Sequence, residues 1–157
     1  MAGPPPLRPF GLVLHRDGSW SHEDVPITNR RLRALFDRSV RFLPEQGVYV
    51  VQLGRYRGQI EIEEAGFFVR SFDAESGTVS LSDGTREPLE VASLRASPHD
   101  GALLCTVKRA SAAQGLPARF RHAAHAELLA AVEATPAGPA LRIGARARRL
   151  PAAASVD

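Results

Sequence analysis

Two short stretches hold most of the groups that could do chemistry. His15, Asp17, His22, Glu23 and Asp24 bring two imidazoles and three carboxylates together around Asp17-Gly18-Ser19-Trp20. Imidazoles and carboxylates build metal sites and acid–base pairs, and a hairpin turning at Asp17-Gly18 could bring His15 near His22. A zinc or iron site would need a further donor, for which His99-Asp100, beside Gly101, is the suggestive source. The plainer reading gives Asp17 to its own turn, Trp20 to packing and the rest to a solvated edge. Farther on, Gly54-Arg55-Tyr56-Arg57-Gly58 sets two arginines between glycines. Glycines let a ligand approach the backbone, and guanidiniums offer forked donors to a carboxylate or phosphate. Ion pairing with Glu61, Glu63 or Glu64 is the competing use. The candidate ligand-binding residues are therefore Arg55, Arg57, His22 and Trp20, with no catalytic residue, metal ligand or cofactor assigned.

Other candidates are weaker. His122 and His125 are three residues apart, which places them on one side of a helix, but they lack the intervening glutamate of a zinc-protease run. Cys105 stands among Leu103, Leu104 and Val107, the setting of a small buried hydrophobe and not of a nucleophile. No nucleophile elbow, phosphate loop or dinucleotide fingerprint occurs. Arg142, Arg146, Arg148 and Arg149 make a basic close that could meet nucleic acid or anionic lipid. However, residues 121–157 contain no Phe, Tyr or Trp on which bases could stack. Alternation of these arginines with Leu141, Ile143, Ala145 and Ala147 fits a half-buried edge strand, where charge discourages aggregation.

The elements that must position these groups follow from periodicity. Phe10, Leu12 and Leu14 alternate as a strand with one face on a core, Arg16-Asp17-Gly18 reverses the chain, and Ser19–His22 returns. Thr28 can cap a helix over Asn29–Phe42, with Leu32, Leu35, Phe36, Val40 and Leu43 on its apolar face, and Pro44 stops it. Gly47–Leu53 reads as a strand, Gly54–Gly58 as its turn or a bulge, and Gln59–Glu63 as the next strand. Strands at Phe67–Phe72, Thr78–Ser82 and Glu87–Val91, separated by turns, suggest an antiparallel meander. Ala102–Val107 then makes a strand after Asp100-Gly101, Ala118–Ala134 a helix and Ala140–Leu150 a closing strand. The two Asp-Gly turns suggest one hairpin, helix and strand unit used twice. The expected architecture is α+β, with two divergent repeats sharing one core with a central meander. Residues 10–150 form the domain: repeat one over 10–58, meander over 59–98, repeat two over 99–150. Residues 1–9 and 151–157 are expected to be disordered tails.

Composition sets outer bounds. A chain of 157 residues with 44% hydrophobic and 24% charged residues fits one globular domain better than a disordered or coiled-coil protein. No apolar run approaches the roughly 20 residues of a membrane span, and Met1–Pro6 lacks a secretion signal. One cysteine allows no internal disulfide, as expected in a reducing cytoplasm. Residues 1–105 hold 12 Arg against 14 acids, whereas residues 106–157 hold 8 cationic residues against 3 acids, so the C-terminal third is basic. Nineteen of the 20 cationic residues are arginine, which reads as codon bias before selection for phosphate binding.

Asp17-Gly18-Ser19-Trp20-Ser21-His22-Glu23, Pro26-Ile27 and Leu32-Arg33-Ala34-Leu35-Phe36 resemble the domain-of-unknown-function family 1285. Gly54-Arg55-Tyr56-Arg57, Glu63-Glu64 before Phe67, Asp100-Gly101-Ala102-Leu103, Gly115-Leu116 and Gly144-Ala145-Arg146 resemble uncharacterised protein family 0598, also called domain-of-unknown-function family 4505. The first resemblance implies a mixed α/β fold with repeated motifs and no known activity. This chain departs from both: Gln52–Tyr56 replaces a Thr-Pro-x-Glu-Lys segment of the first family, and Leu53 and Tyr56 replace the Cys and Glu of a Cys-Gly-Arg-Glu-Arg run in the second.

Taken together, the residues favour a non-enzymatic module that binds a small anionic ligand or a protein partner, without membrane contact and with nucleic acid disfavoured. Oligomeric state is left open. The enzyme alternative uses His22, His99 and Asp100 in a metal-assisted or acid–base site between the two Asp-Gly hairpins.

Overall fold

The computed structural model describes residues 8–154. The fold is α+β and mostly strand, and the chain divides after Gly66 into two compact units. In the first, β1 (Arg8–Leu14), β2 (Trp20–His22) and β3 (Val25–Pro26) form a meander. Helix α1 (Arg30–Ser39) leads to a second meander of β4 (Val40–Leu43), β5 (Val48–Leu53) and β6 (Tyr56–Ile62). The two meanders join through a parallel pairing of β1 with β6, giving the order β3-β2-β1-β6-β5-β4. Leu12, Leu14, Trp20 and Ile60 are buried on one face of this sheet, where the rings of Trp20 and Phe36 of α1 meet with centroids 5.4 Å apart.

The second unit repeats that order. Strands β7 (Phe67–Asp73), β8 (Thr78–Leu81) and β9 (Arg86–Pro88) form one meander. Strands β10 (Arg95–Ala96), β11 (Leu103–Val107) and β12 (Leu116–Phe120) form the other. Parallel pairing of β12 with β7 gives β10-β11-β12-β7-β8-β9. Helix α2 (His122–Ala130) follows, and a small antiparallel sheet of β13 (Val132–Thr135), β14 (Gly138–Ile143) and β15 (Arg146–Arg149) completes the unit.

Strand order thus sets which turns correspond. The Asp17-Gly18 turn, between β1 and β2, matches residues 74–77 between β7 and β8. Asp100-Gly101, between β10 and β11, matches residues 44–47 between β4 and β5. The helices also differ in place, α1 lying between the meanders and α2 after both.

Several boundaries differ from the sequence expectation. Asn29, not Thr28, caps α1, its side chain accepting from the Leu32 amide at 3.0 Å. The helix ends at Ser39 because Val40 is already extended and β4 pairs with β5 in register from Val40↔Val51. The helix expected over Ala118–Ala134 is three elements. Leu116, Ala118 and Phe120 alternate inward as a strand, α2 covers nine residues, and Val132–Thr135 pairs with β14. Ala140–Leu150 is a hairpin turning at Gly144-Ala145 and not one strand, Gly144 supplying a φ of +57°. Arg8 and Pro9, expected in the N-terminal tail, already pair with Gly58 and Gln59. Ala152–Ala154 forms a 3-10 turn. The remainder of both expected tails lies outside the described residues.

Candidate ligand site in the first unit

Register decides which candidate residues share a face. Leu12 pairs with His22 and Leu14 with Trp20 across β1 and β2, while Leu14 pairs with Ile62 of β6. Side chains alternate along a strand, so Trp20 and His22 share the face of Leu12, Leu14 and Ile60. Arg57, opposite Gln52 and odd-numbered like Gln59 and Glu61, is on the other face. Arg55 lies in the β5–β6 turn, next but one to Leu53. The structure therefore brings Trp20 and His22 together and separates Arg57 from them.

Their environments differ as well. Trp20 is 1% exposed, and its indole N–H donates to Asp37 Oδ1 at 2.9 Å. A buried indole requires such a partner, so Trp20 ties β2 to α1. His22 is exposed at the end of β2. Beside it, Glu23 and Asp24 turn the chain into β3 with φ of 47° and 68°, positive at both central positions as a two-residue hairpin of this hand requires. Gly11, at the irregularity between Pro9 and Val13, leaves room for this turn. A Cβ there would come 3.1 Å from Glu23 Cγ and 3.4 Å from His22 Cδ2.

Between these strands and α1 lies a groove of about 640 Å³. Phe10, Leu12, Ile27, Leu32, Phe36 and Leu53 contribute to its apolar lining, and His22 and Glu23 are its polar residues. The apolar part of the lining carried no chemical signal in the sequence, since Phe10, Leu12, Leu32 and Phe36 read as core residues. Leu32 is nevertheless 38% exposed and Val25 65%.

The remaining candidates have structural partners. His15 Nδ1 donates to Glu63 Oε1 at 2.8 Å, and Nε2 shares a hydrogen bond with Ser21 Oγ at 2.8 Å. It faces away from His22, so the hairpin does not pair the two imidazoles. Glu63 also accepts from the Arg16 amide, and this bond, ahead of the one from His15, holds its carboxyl below the usual value. Asp17 accepts from the Ser19 hydroxyl at 2.6 Å and the Ser19 amide at 2.9 Å, which lowers its pKa. Among the described residues, Arg55 and Arg57 form no ion pair or side-chain hydrogen bond, so the expected pairing with Glu61, Glu63 or Glu64 is not made.

In the second unit, Asp100 accepts from the Ala102 amide and from both terminal nitrogens of Arg119, at 3.0 and 2.6 Å. Cys105 is fully buried, and burial pushes its thiol up to about 12. Among the described residues, no group of three or more His, Cys, Asp or Glu side chains could hold a metal ion. Nor is any helix among them long and apolar enough to cross a membrane.

No family model matches the sequence, and no curated protein matches it. The structure is similar to that of a DUF1285 family protein from Silicibacter pomeroyi DSS-3, with 17% identity and a TM-score of 0.64 over 94% of this chain and 83% of the other. It is also similar to a DUF1285 family protein from Shewanella baltica OS155, with 14% identity and a TM-score of 0.52 over 76% of this chain and 91% of the other. The N-terminal resemblance to family 1285 agrees with this likeness, and no match carries the resemblance to family 0598. At these identities the likeness is one of architecture, and the chain has the fold of the DUF1285 proteins.

Proposed function

We propose that the first unit is a non-enzymatic binding module. Its groove takes a small ligand with an apolar body and an anionic group. The observation that carries this reading is His22, an exposed imidazole with no side-chain partner among the described residues, set in an otherwise mostly apolar hollow. The volume falls within the roughly 300–1,000 Å³ of small-molecule sites, which pair apolar walls with a few polar groups. Glu23 repels an anion placed next to it, so the reading puts the hydrogen bond at His22 and the negative charge toward Arg55, just beyond Leu53. A non-enzymatic role is supported by the partners of His15, Asp17 and Glu63 in the first unit, and of Asp100 in the second, which engage these acid–base candidates in turns and ion pairs.

Native mass spectrometry of protein purified without chelator tests this. The expected result is a retained small molecule in the wild type that is lost on Leu32→Trp, which fills the groove from an already exposed position. Arg55→Ala should weaken rebinding about tenfold, the low end for a charge-assisted hydrogen bond. Retention of every bound mass by Leu32→Trp at wild-type level would overturn the assignment. A second reading, a protein partner seated on the same side, is favoured by the exposure of Val25 and Leu35. It predicts a bare wild-type monomer.

A further inference from the structure

We propose that the second unit carries a separate site for an acyl carboxylate of medium to long chain. The tail would lie in the cleft between α2 and the small sheet, with the head group at Arg148. The cleft encloses about 1050 Å³, and its walls include Leu94, Leu103, Leu128, Leu129, Val132 and Leu150. Leu128 is 3% exposed, but its neighbour Leu129 is 57% exposed on the same short helix. An apolar tail would cover such a surface.

The polarity of the lining defines the head group. Among the described residues, His125, Arg148 and Arg149 are the titratable groups lining the cleft, and no carboxylate is among them. Arg142, on the adjacent strand, is already neutralised by Glu133, with contacts of 2.7 and 3.0 Å. Arg148 and Arg149, in contrast, form no ion pair or side-chain hydrogen bond among the described residues. Cations beside an apolar hollow with no acid among its described lining complement an anion with an apolar tail, and a guanidinium presents two parallel donors to a carboxylate. Cross-strand register puts Arg148 opposite Leu141, which is opposite Val132 of the wall, so one row of side chains runs from apolar cleft to cation. Burial, then the charge of His122, pushes His125 below its usual 6.5.

Two other uses of the same arginines fit less well. Nucleic acid calls for stacking rings, and residues 121–157 have none. An anionic bilayer surface responds to the number of cations and gives no role to a hollow. Tail length separates these cases, because each methylene buried in the cleft should tighten binding about fourfold, whereas a surface ion pair is indifferent to it.

The test is calorimetry of the full chain with octanoate, decanoate and dodecanoate, each below its micelle concentration. The expected result is affinity rising about fourfold per methylene, falling about tenfold in Arg148→Ala, and abolished by Leu129→Glu. The last change introduces a repelling carboxylate at an exposed position that the fold tolerates. No binding of dodecanoate, an affinity that does not rise from octanoate to dodecanoate, or binding unchanged in both variants overturns the proposal. So does co-sedimentation with phosphatidylglycerol vesicles in the absence of fatty-acid binding. The site is independent of the groove in the first unit: Leu32→Trp should leave dodecanoate binding intact, and its loss in that variant would assign the ligand to the groove instead.

Discussion

Lys108 Nζ donates to Asp83 Oδ2 at 2.6 Å, linking the residue after β11 to the β8–β9 turn. It also donates to Thr85 Oγ1 at 2.7 Å and lies 5.1 Å from the centre of the Phe67 ring. The side chains are 15% and 5% exposed, and Lys108 takes a left-handed φ of 62°. The chain's one lysine, among nineteen arginines, is thus a compact charge fitted to a tight polar corner.

Removing that charge should destabilise the fold. Lys108→Met leaves the Asp83 carboxylate without its counter-ion, held only by the Thr85 hydroxyl and amide, and the expected loss is about 3 kcal/mol, the lower end for breaking a buried pair. Urea unfolding measures it. A loss no larger than that typical of a solvent-exposed ion pair would mean that water reaches the corner.

The pair also predicts an acid limb. Burial raises the Asp83 pKa, but the hydrogen bonds from Lys108 and Thr85 more than offset this and hold it below 3.8. A carboxyl depressed in the folded state contributes stability that is complete above its unfolded pKa and lost as pH falls through the folded value. Urea midpoints of Asp83→Asn should therefore decline less steeply than those of wild type below about pH 4.

Cys105 should be silent toward thiol reagents. With no exposure and a pKa of about 12, it offers almost no thiolate at neutral pH. Ellman's reagent should release no colour from the folded protein and one equivalent in guanidinium. Fast labelling without denaturant would show that β11 opens readily.

Gly58 and Phe10 should behave as a coupled pair. A methyl at Gly58 would overlap the Phe10 ring across the parallel β1–β6 pairing. Gly58→Ala is expected to cost about 1–3 kcal/mol through overpacking. Much of that cost should vanish in the background of Phe10→Leu, and a double-mutant cycle reads the coupling directly. Strict additivity of the two changes would contradict this contact.

Trp20 provides an internal probe. Asp37→Ala leaves its buried indole N–H without that acceptor, at an expected cost of about 1–3 kcal/mol, and should lower the midpoint of its fluorescence transition. Trp20 emission should be blue-shifted in the native protein and shift red on unfolding.

Legibility in the sequence followed the range of the interactions involved. Phe10–Leu14 and Thr78–Leu81 were readable because alternation and adjacent turns are local signals. The parallel pairing of Arg8 with Gly58 was not, since nothing near either residue announces it. Phe120 misled for a related reason: its spacing to Ala124 and Leu128 mimics one helical face, although Phe120 belongs to β12 and the latter two to α2. At the candidate site, His22 and Arg55 stood out by residue type. The groove did not, because Leu32 and Phe36 look like ordinary core until the adjoining strands leave space beside them. Lys108 carried only one hint, its rarity.

The shared strand order has a kinetic meaning. Within each six-stranded sheet, every antiparallel pairing joins strands that follow one another in the chain, and only the parallel pairing of first and last strands is distant. Meanders can assemble early from short loops, whereas joining Leu14 to Ile62, or Phe67 to Ala118, requires closing a long one. Each sheet is therefore expected to close its single parallel seam last. Substitutions in the outer hairpins, already formed when the seam closes, should mainly slow folding, while substitutions at the seam, Gly58 among them, should divide between slower folding and faster unfolding according to how far the seam is formed at the barrier.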